Sequence, residues 1–344
     1  MTSMLEQEIL SQPAVISDLL EHETQHIQQI VTRLPDFEYI VIAARGSSDH
    51  AATYAKYVWS ALGGYPVALA APSLHTLYRT PPRLRGALVV GISQSGQSPD
   101  IVAVLEEGRR QGRPTVAITN DGASPLASSA DYVVDLRAGV ERSVAATKTY
   151  TAQLAVVAAF AAHWSGDEQR RAELEQLPGA LAATVARLGD IAKQIEPYRA
   201  MAQCTVIGRG YNYATTLELA LKLKEVALVI ASPYSAADFR HGPIATVDAQ
   251  TAVVLVMPTG QTFDDLLDVA GALRQRGAEL LVISDAAAAL AQARTPLPLA
   301  AAIPEWLSPI HAIIPGQALA LHLAVSKGLN PDLPPGLQKV TRTF

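Results

Sequence analysis

Apolar positions along the chain change their period in a regular way. From Met4 to Leu34 they recur at helical spacing, at Ile16, Leu19, Leu20, Ile27, Ile30, Val31 and Leu34, after a break at Pro13, which predicts an N-terminal helix. Short, almost wholly apolar runs follow at Tyr39 to Ala44, Val67 to Ala70, Ala87 to Ile92, Thr115 to Thr119 and Tyr132 to Leu136, with helical patterns over 49–62 and 101–111. Strands apolar on both faces, alternating with helices, imply an α/β fold whose parallel sheet is covered on both sides. Ala145 to Trp164 predicts a long, mostly buried helix. The next stretch, with Gly166-Asp167-Glu168, a charged helical run and Pro178-Gly179, reads as a helical linker.

After the linker the pattern returns. Gly46 and Gly210, Gly96 and Gly260, and Asp121 and Asp285 each lie 164 residues apart, an ungapped register that points to two copies of one α/β unit. The expected organisation is an N-terminal helical segment (1–34), a first α/β domain (35–165), the linker (166–199), a second α/β domain (200–330) and a C-terminal tail (331–344).

In the first copy, Gly91-Ile-Ser-Gln-Ser-Gly-Gln-Ser-Pro-Asp100 joins a predicted strand to a predicted helix. Ser93, Ser95 and Ser98 can offer hydroxyls to one small oxyanion, Gly96 lets backbone approach, and the helix start presents unpaired N–H groups. A phosphate fits this chemistry; a plain polar helix cap is the alternative. No Gly-x-x-x-x-Gly-Lys-Ser/Thr run occurs, and no Gly-x-Gly-x-x-Gly follows a strand, so nucleotide-triphosphate and dinucleotide cradles lack support. The second copy has Met257-Pro258-Thr259 where the first has Ser93-Gln94-Ser95, so two hydroxyl donors are missing and the first copy is expected to hold the phosphate.

The second copy offers acid–base groups. Leu217 to Ile230 reads as a helix with Glu218, Lys222 and Glu225 on one face among apolar neighbours. That is either a general base beside a tunable lysine or an ordinary surface ion pair. His241 precedes Gly242-Pro243 in a loop, where an imidazole could assist proton transfer at a sugar ring oxygen. The tail carries Lys339 and could fold over a site as a lid. Only seven of the 27 basic residues are lysines, so each retained lysine asks for a reason that arginine cannot meet.

Composition narrows the classes further. The net charge of -5, with mixed signs and no basic stripe, argues against nucleic-acid binding. Cys204, the only cysteine, lies in a strand-like run and reads as a buried thiol. No metal-ligand motif is present and no metal or cofactor is expected. Without a leader-like N-terminus or a long apolar span, the chain is expected to be a cytoplasmic protein that does not engage membranes.

Seven stretches together resemble a known family: the Met4 to Pro13 opening, Arg45-Gly46-Ser47-Ser48, Ser93-Gln94-Ser95-Gly96, Ser143 to Lys148, Leu221 to Glu225, His241-Gly242-Pro243 and Leu337 to Thr341. The chain resembles the tandem sugar-isomerase (SIS) domain proteins, in particular the isomerase half of glucosamine-6-phosphate synthase and the SIS-type glucosamine-6-phosphate deaminases. The resemblance implies two flavodoxin-like αβα sandwiches. It implies phosphate binding by Ser47, Ser48, Ser93, Gln94, Ser95 and Ser98, with Gly46 and Ala145 also at the substrate. It places Glu225 on the base that moves a proton between C1 and C2, Lys222 beside it, His241 on a ring-opening histidine supplied to the partner subunit of a homodimer, and Lys339 on a tail lysine that approaches the sugar carbonyl.

The chain opens Met1-Thr2-Ser3, without the glutaminase half of the synthase, and Ala146 stands where the synthase usually has Ser. The expected activity is therefore conversion of glucosamine-6-phosphate to fructose-6-phosphate and ammonia, or the reverse with free ammonia. Action on another amino-sugar phosphate, synthesis with a separate glutaminase, and a non-catalytic sugar-phosphate regulator are the alternatives.

Overall fold

The computed structural model describes residues 2–339. Among the described residues ten strands form two five-stranded, wholly parallel sheets. The first contains β1 (Tyr39–Ala43), β2 (Val67–Leu69), β3 (Ala87–Ser93), β4 (Thr115–Thr119) and β5 (Tyr132–Asp135), in the order β2-β1-β3-β4-β5. The second contains β6 (Gln203–Gly208), β7 (Ile230–Ser235), β8 (Ala252–Val256), β9 (Glu279–Ser284) and β10 (Thr295–Pro298), in the order β10-β9-β8-β6-β7. Read from the other edge, that is the same order, and it is the flavodoxin-like one. The α/β class and the repeat expected from the sequence are both present.

The chain divides into two compact units. One comprises Ala14–Glu141, Lys148–Glu175 and the residues from Gln338 on; the other comprises the first residues to Pro13, Arg142–Thr147 and Gln176–Leu337. The linker residues thus divide at Gln176, and the opening helix divides at Pro13.

In the first-sheet unit, Val89, Ala117, Ile101, Val104 and Leu105 are buried on one face. Trp59 is buried and donates its indole N–H to the Val157 carbonyl at 2.8 Å. In the second-sheet unit Val253, Leu255, Leu266, Val269 and Leu273 form the corresponding core.

Three local expectations are corrected. The opening helix is not broken at Pro13 but runs unbroken over Met4–Arg33. Proline removes the amide that would bond the Ile9 carbonyl, and the Gln12 side chain donates to that carbonyl instead at 2.9 Å. The helix expected to reach Ile230 ends at Ala227: Leu228 turns left-handed (φ 54°) and its N–H bonds the Leu223 carbonyl, which releases Ile230 into β7. The helix expected from Ala145 begins at Lys148, because Glu8 captures the preceding loop by accepting from the Arg142 amide and from the Ser143 amide and hydroxyl.

Among the described residues one helical stretch, Glu305–Ser326, is long and apolar enough to cross a membrane, yet 89% of its apolar window is buried within the protein, as in a core helix. It carries His311, fully buried and hydrogen-bonded to Thr184. Burial pushes the His311 imidazole down to about 4. The folded state therefore holds His311 neutral while the unfolded chain protonates near 6.5. Its contribution is present above pH 6.5 and is lost as the pH falls toward 4, by roughly 3 kcal/mol in full. Unfolding free energies measured across that window should show this acid-side loss, and His311→Gln should remove it.

Candidate active site

In this strand order the chain reverses direction across the sheet between β1 and β3, and the carboxyl ends of those two strands are the usual ligand position in such a sheet. The residues expected from the sequence to bind phosphate lie at those strand ends: Ser47 and Ser48 open the helix after β1, Ser93 ends β3, and Gln94, Ser95 and Ser98 lie in the turn that follows it. Gly46 (φ 56°) follows β1 and precedes the Ser47–Gly63 helix, facing open space. Ser48 is buried, and its hydroxyl accepts from the Gln153 amide at 3.0 Å, which leaves its own proton to donate elsewhere.

After β3 the turn is built by its own serines. Ser93 Oγ accepts from the Gly96 amide at 3.1 Å and Ser95 Oγ from the Gln97 amide at 3.3 Å. The Gln94 carbonyl accepts from the Asn120 amide at 3.1 Å, tying the turn to the loop after β4. Ser98 begins the Pro99–Arg110 helix without using its side chain as a cap, so its hydroxyl is not committed to the helix. Gly96 is in the left-handed region (φ 61°), and a side chain there would collide with Ser124. Arg45 bonds the buried Asp100 at 2.9 Å and so brings a cation to the rim.

The other expected groups fall in the second-sheet unit or on the tail. Glu225 and Lys222 lie on the Tyr213–Ala227 helix, and the ammonium is 2.6 Å from Glu225 and 3.3 Å from Glu218. This is no surface ion pair: the Lys222 side chain is 2% exposed and that of Glu218 0%, while Glu225 is 24% exposed. Burial alone would lower the Lys222 pKa, but the two carboxylates outweigh it and hold the ammonium charged, above its ordinary value. Glu218 thus anchors Lys222, which in turn presents Glu225 at the partly open end of the group.

His241 is exposed at the end of the short Ala236–Arg240 helix, and its ring makes no hydrogen bond among the described residues. Ala145 is buried in the loop held by Glu8. Lys339, the last described residue, bonds Glu141 at 2.6 Å in the first-sheet unit. Glu141 is buried and also accepts from the amide and hydroxyl of Thr149. Val340 and Thr341 of the tail motif lie outside the described residues.

Sequence reasoning met Glu8 only as part of the Met4 to Pro13 opening, with no role for it, and did not single out Glu141, Gln153 or Glu305. Of these, Glu141 and Glu305 stand 164 residues apart, and the repeat register would have paired them. Burial pushes the Cys204 thiol up to about 12, which makes it inert as a nucleophile at neutral pH. Among the described residues no cluster of three or more His, Cys, Asp or Glu could hold a metal. The mainly apolar cavity of about 390 Å³ near Leu188, Ile191 and Pro298 contains none of the expected site residues.

Two copies of a doubly wound unit, a serine-built turn at the switch point of one and a buried carboxylate–lysine group in the other, define the class. The SIS domain model matches at residues 36–163 and 199–326, and the chain belongs to that family as a tandem pair. Within it the chain is homologous to the isomerase domain of glutamine–fructose-6-phosphate aminotransferases.

It is 36% identical over 353 residues to that enzyme from Gloeobacter violaceus, covering 96% of this chain and 57% of the relative. It thus spans little more than half the length of such relatives. Among solved structures, a candidate phosphosugar isomerase from Silicibacter pomeroyi has a TM-score of 0.86 at 32% identity, over 96% of this chain and 100% of that one. The C-terminal domain of glucosamine-fructose-6-phosphate aminotransferase from Francisella tularensis has a TM-score of 0.85 at 26% identity, over 97% and 99% of the two chains.

Lys222→Met should cost roughly 3–5 kcal/mol by stranding the buried Glu218 charge, whereas Lys222→Met combined with Glu218→Leu should recover much of that loss. Denaturant unfolding of the two variants separates a buried charge group from a solvated one, for which both changes would be nearly silent.

Proposed function

We propose that the chain is a phosphosugar aldose–ketose isomerase that also releases nitrogen, converting glucosamine-6-phosphate to fructose-6-phosphate and ammonia, or running the reverse with free ammonia. The observation that carries this reading is the Glu218–Lys222–Glu225 group, in which a fully buried carboxylate and ammonium present a second carboxylate at a partly open position. A ligand-binding regulator has no use for such a group. The serine-built turn supplies the complementary part, a seat for the phosphate ester in the first copy.

In the proposed reaction the sugar is first opened to its aldehyde, with His241 transferring the proton at the ring oxygen. Exposure of His241 in this chain fits its serving the partner's site in a homodimer. Glu225 then takes the C2 proton, giving an enolamine, and returns a proton to C1. The product is the imine at C2. Water adds to it, the C–N bond breaks, and ammonia leaves with the fructose-6-phosphate carbonyl in place. Lys339, poised on Glu141, is proposed to approach the sugar carbonyl.

Relatives support the class: the aminotransferases named above are isomerising enzymes, and a glucosamine-6-phosphate deaminase of Thermotoga maritima shares the fold.

Glu225→Gln should cut ammonia release, and deuterium exchange from D2O into C1 and C2, by about a hundredfold to ten-thousandfold. Binding of the sugar phosphate should persist. Turnover near the wild-type rate in that variant would remove Glu225 from the mechanism.

A further inference from the structure

The loop after β8 is the second copy's version of the serine-built turn, and it holds an anion of the protein's own. The Glu305 carboxylate accepts from the Gln261 amide at 2.8 Å, from the Thr262 amide at 3.4 Å and from the Thr262 hydroxyl at 3.1 Å. Thr262 begins the Phe263–Gln275 helix, so the carboxylate sits on amides that the helix itself cannot satisfy. Gly260 makes room for it: a Cβ there would collide with the Glu305 carboxyl.

The 164-residue register identifies this seat with the first copy. Gln261 corresponds to Gln97, Thr262 to Ser98, and Glu305 itself to Glu141. In the first copy, however, Glu141 is turned to Thr149 and Lys339, and among the described residues no carboxylate reaches the amides of Gln97 and Ser98.

We propose that Glu305 is the built-in occupant of a second anion site, a carboxylate in the position where this loop would otherwise take a phosphate ester or another oxyanion. It thereby restricts each chain to phosphate binding in the first copy. The neighbouring Asp285 is engaged separately, by the amide and hydroxyl of Thr259, and adds negative charge at the rim. Arg209 and Arg240 nearby are both paired to Asp265. With Glu305 removed, the seat is therefore expected to take phosphate only in the millimolar range. The occupancy of the second seat rests on the contacts of Glu305 and the comparison with the first copy, and the restriction to the first copy rests also on the phosphate seat proposed above.

The test compares wild type with Glu305→Ala and Glu305→Gln, using inorganic phosphate as the probe. Calorimetry should find one additional phosphate bound per chain in Glu305→Ala, and that binding should survive Ser95→Ala with Ser98→Ala in the first copy. Phosphate should raise the melting temperature most in Glu305→Ala, less in Glu305→Gln and least in wild type. If Glu305→Ala does not fold, the comparison of Glu305→Gln with wild type decides. No additional phosphate and equal phosphate-induced shifts in all folded proteins would overturn the proposal, as would loss of the additional binding when the first-copy serines are removed.

Discussion

A helix that follows a parallel strand starts with amides that no backbone carbonyl in the helix can reach, and these need an acceptor from elsewhere. Much of what distinguishes the two halves of this chain follows from how that need is met. In the second copy the acceptor is covalently part of the chain: Glu305, 44 residues further on, closes the loop on itself. In the first copy the corresponding glutamate is held elsewhere, and the turn is shaped by Ser93 and Ser95 accepting from neighbouring amides, with hydroxyl protons left to donate. The corresponding turns are thus closed by a distant carboxylate in one copy and by their own serines in the other.

A second constraint acts through charge burial. An ammonium as deeply buried as that of Lys222 is tolerated only with negative partners, and the Tyr213–Ala227 helix supplies them one turn to either side, Glu218 below and Glu225 above. Glu218 is wholly enclosed and Glu225 is not, so the group has an enclosed inner end and a partly exposed outer end. The left-handed Leu228 ends the helix just beyond Glu225 and turns the chain into β7. Glu225 therefore lies in the last turn of a helix whose end is set by the sheet.

Much of this was legible in the sequence because it is written in local spacing. The repeat survives without a gap, and its register holds outside the stretch marked by the three residue pairs that reveal it, as β1 and β6 show. The serine turn and the spacing of Glu218, Lys222 and Glu225 are also local patterns. What the sequence does not display are partnerships set by tertiary packing. Nothing near Ser143 announces that Glu8, 135 residues away, will hold it, and nothing near Pro13 announces that the Gln12 side chain will replace the missing backbone donor. Leu228 carries no helix-stop signal of the kind glycine gives, so the helix was expected to run on to Ile230.

The most direct measurement is a structure of the protein with its sugar phosphate bound. The phosphate should lie within hydrogen-bond distance of the Gln97 and Ser98 amides and of the hydroxyls that follow β1 and β3, while Glu305 stays seated on Gln261 and Thr262. A phosphate found instead on the loop after β8 with Glu305 displaced, or away from both loops, would contradict the division of labour between the two copies.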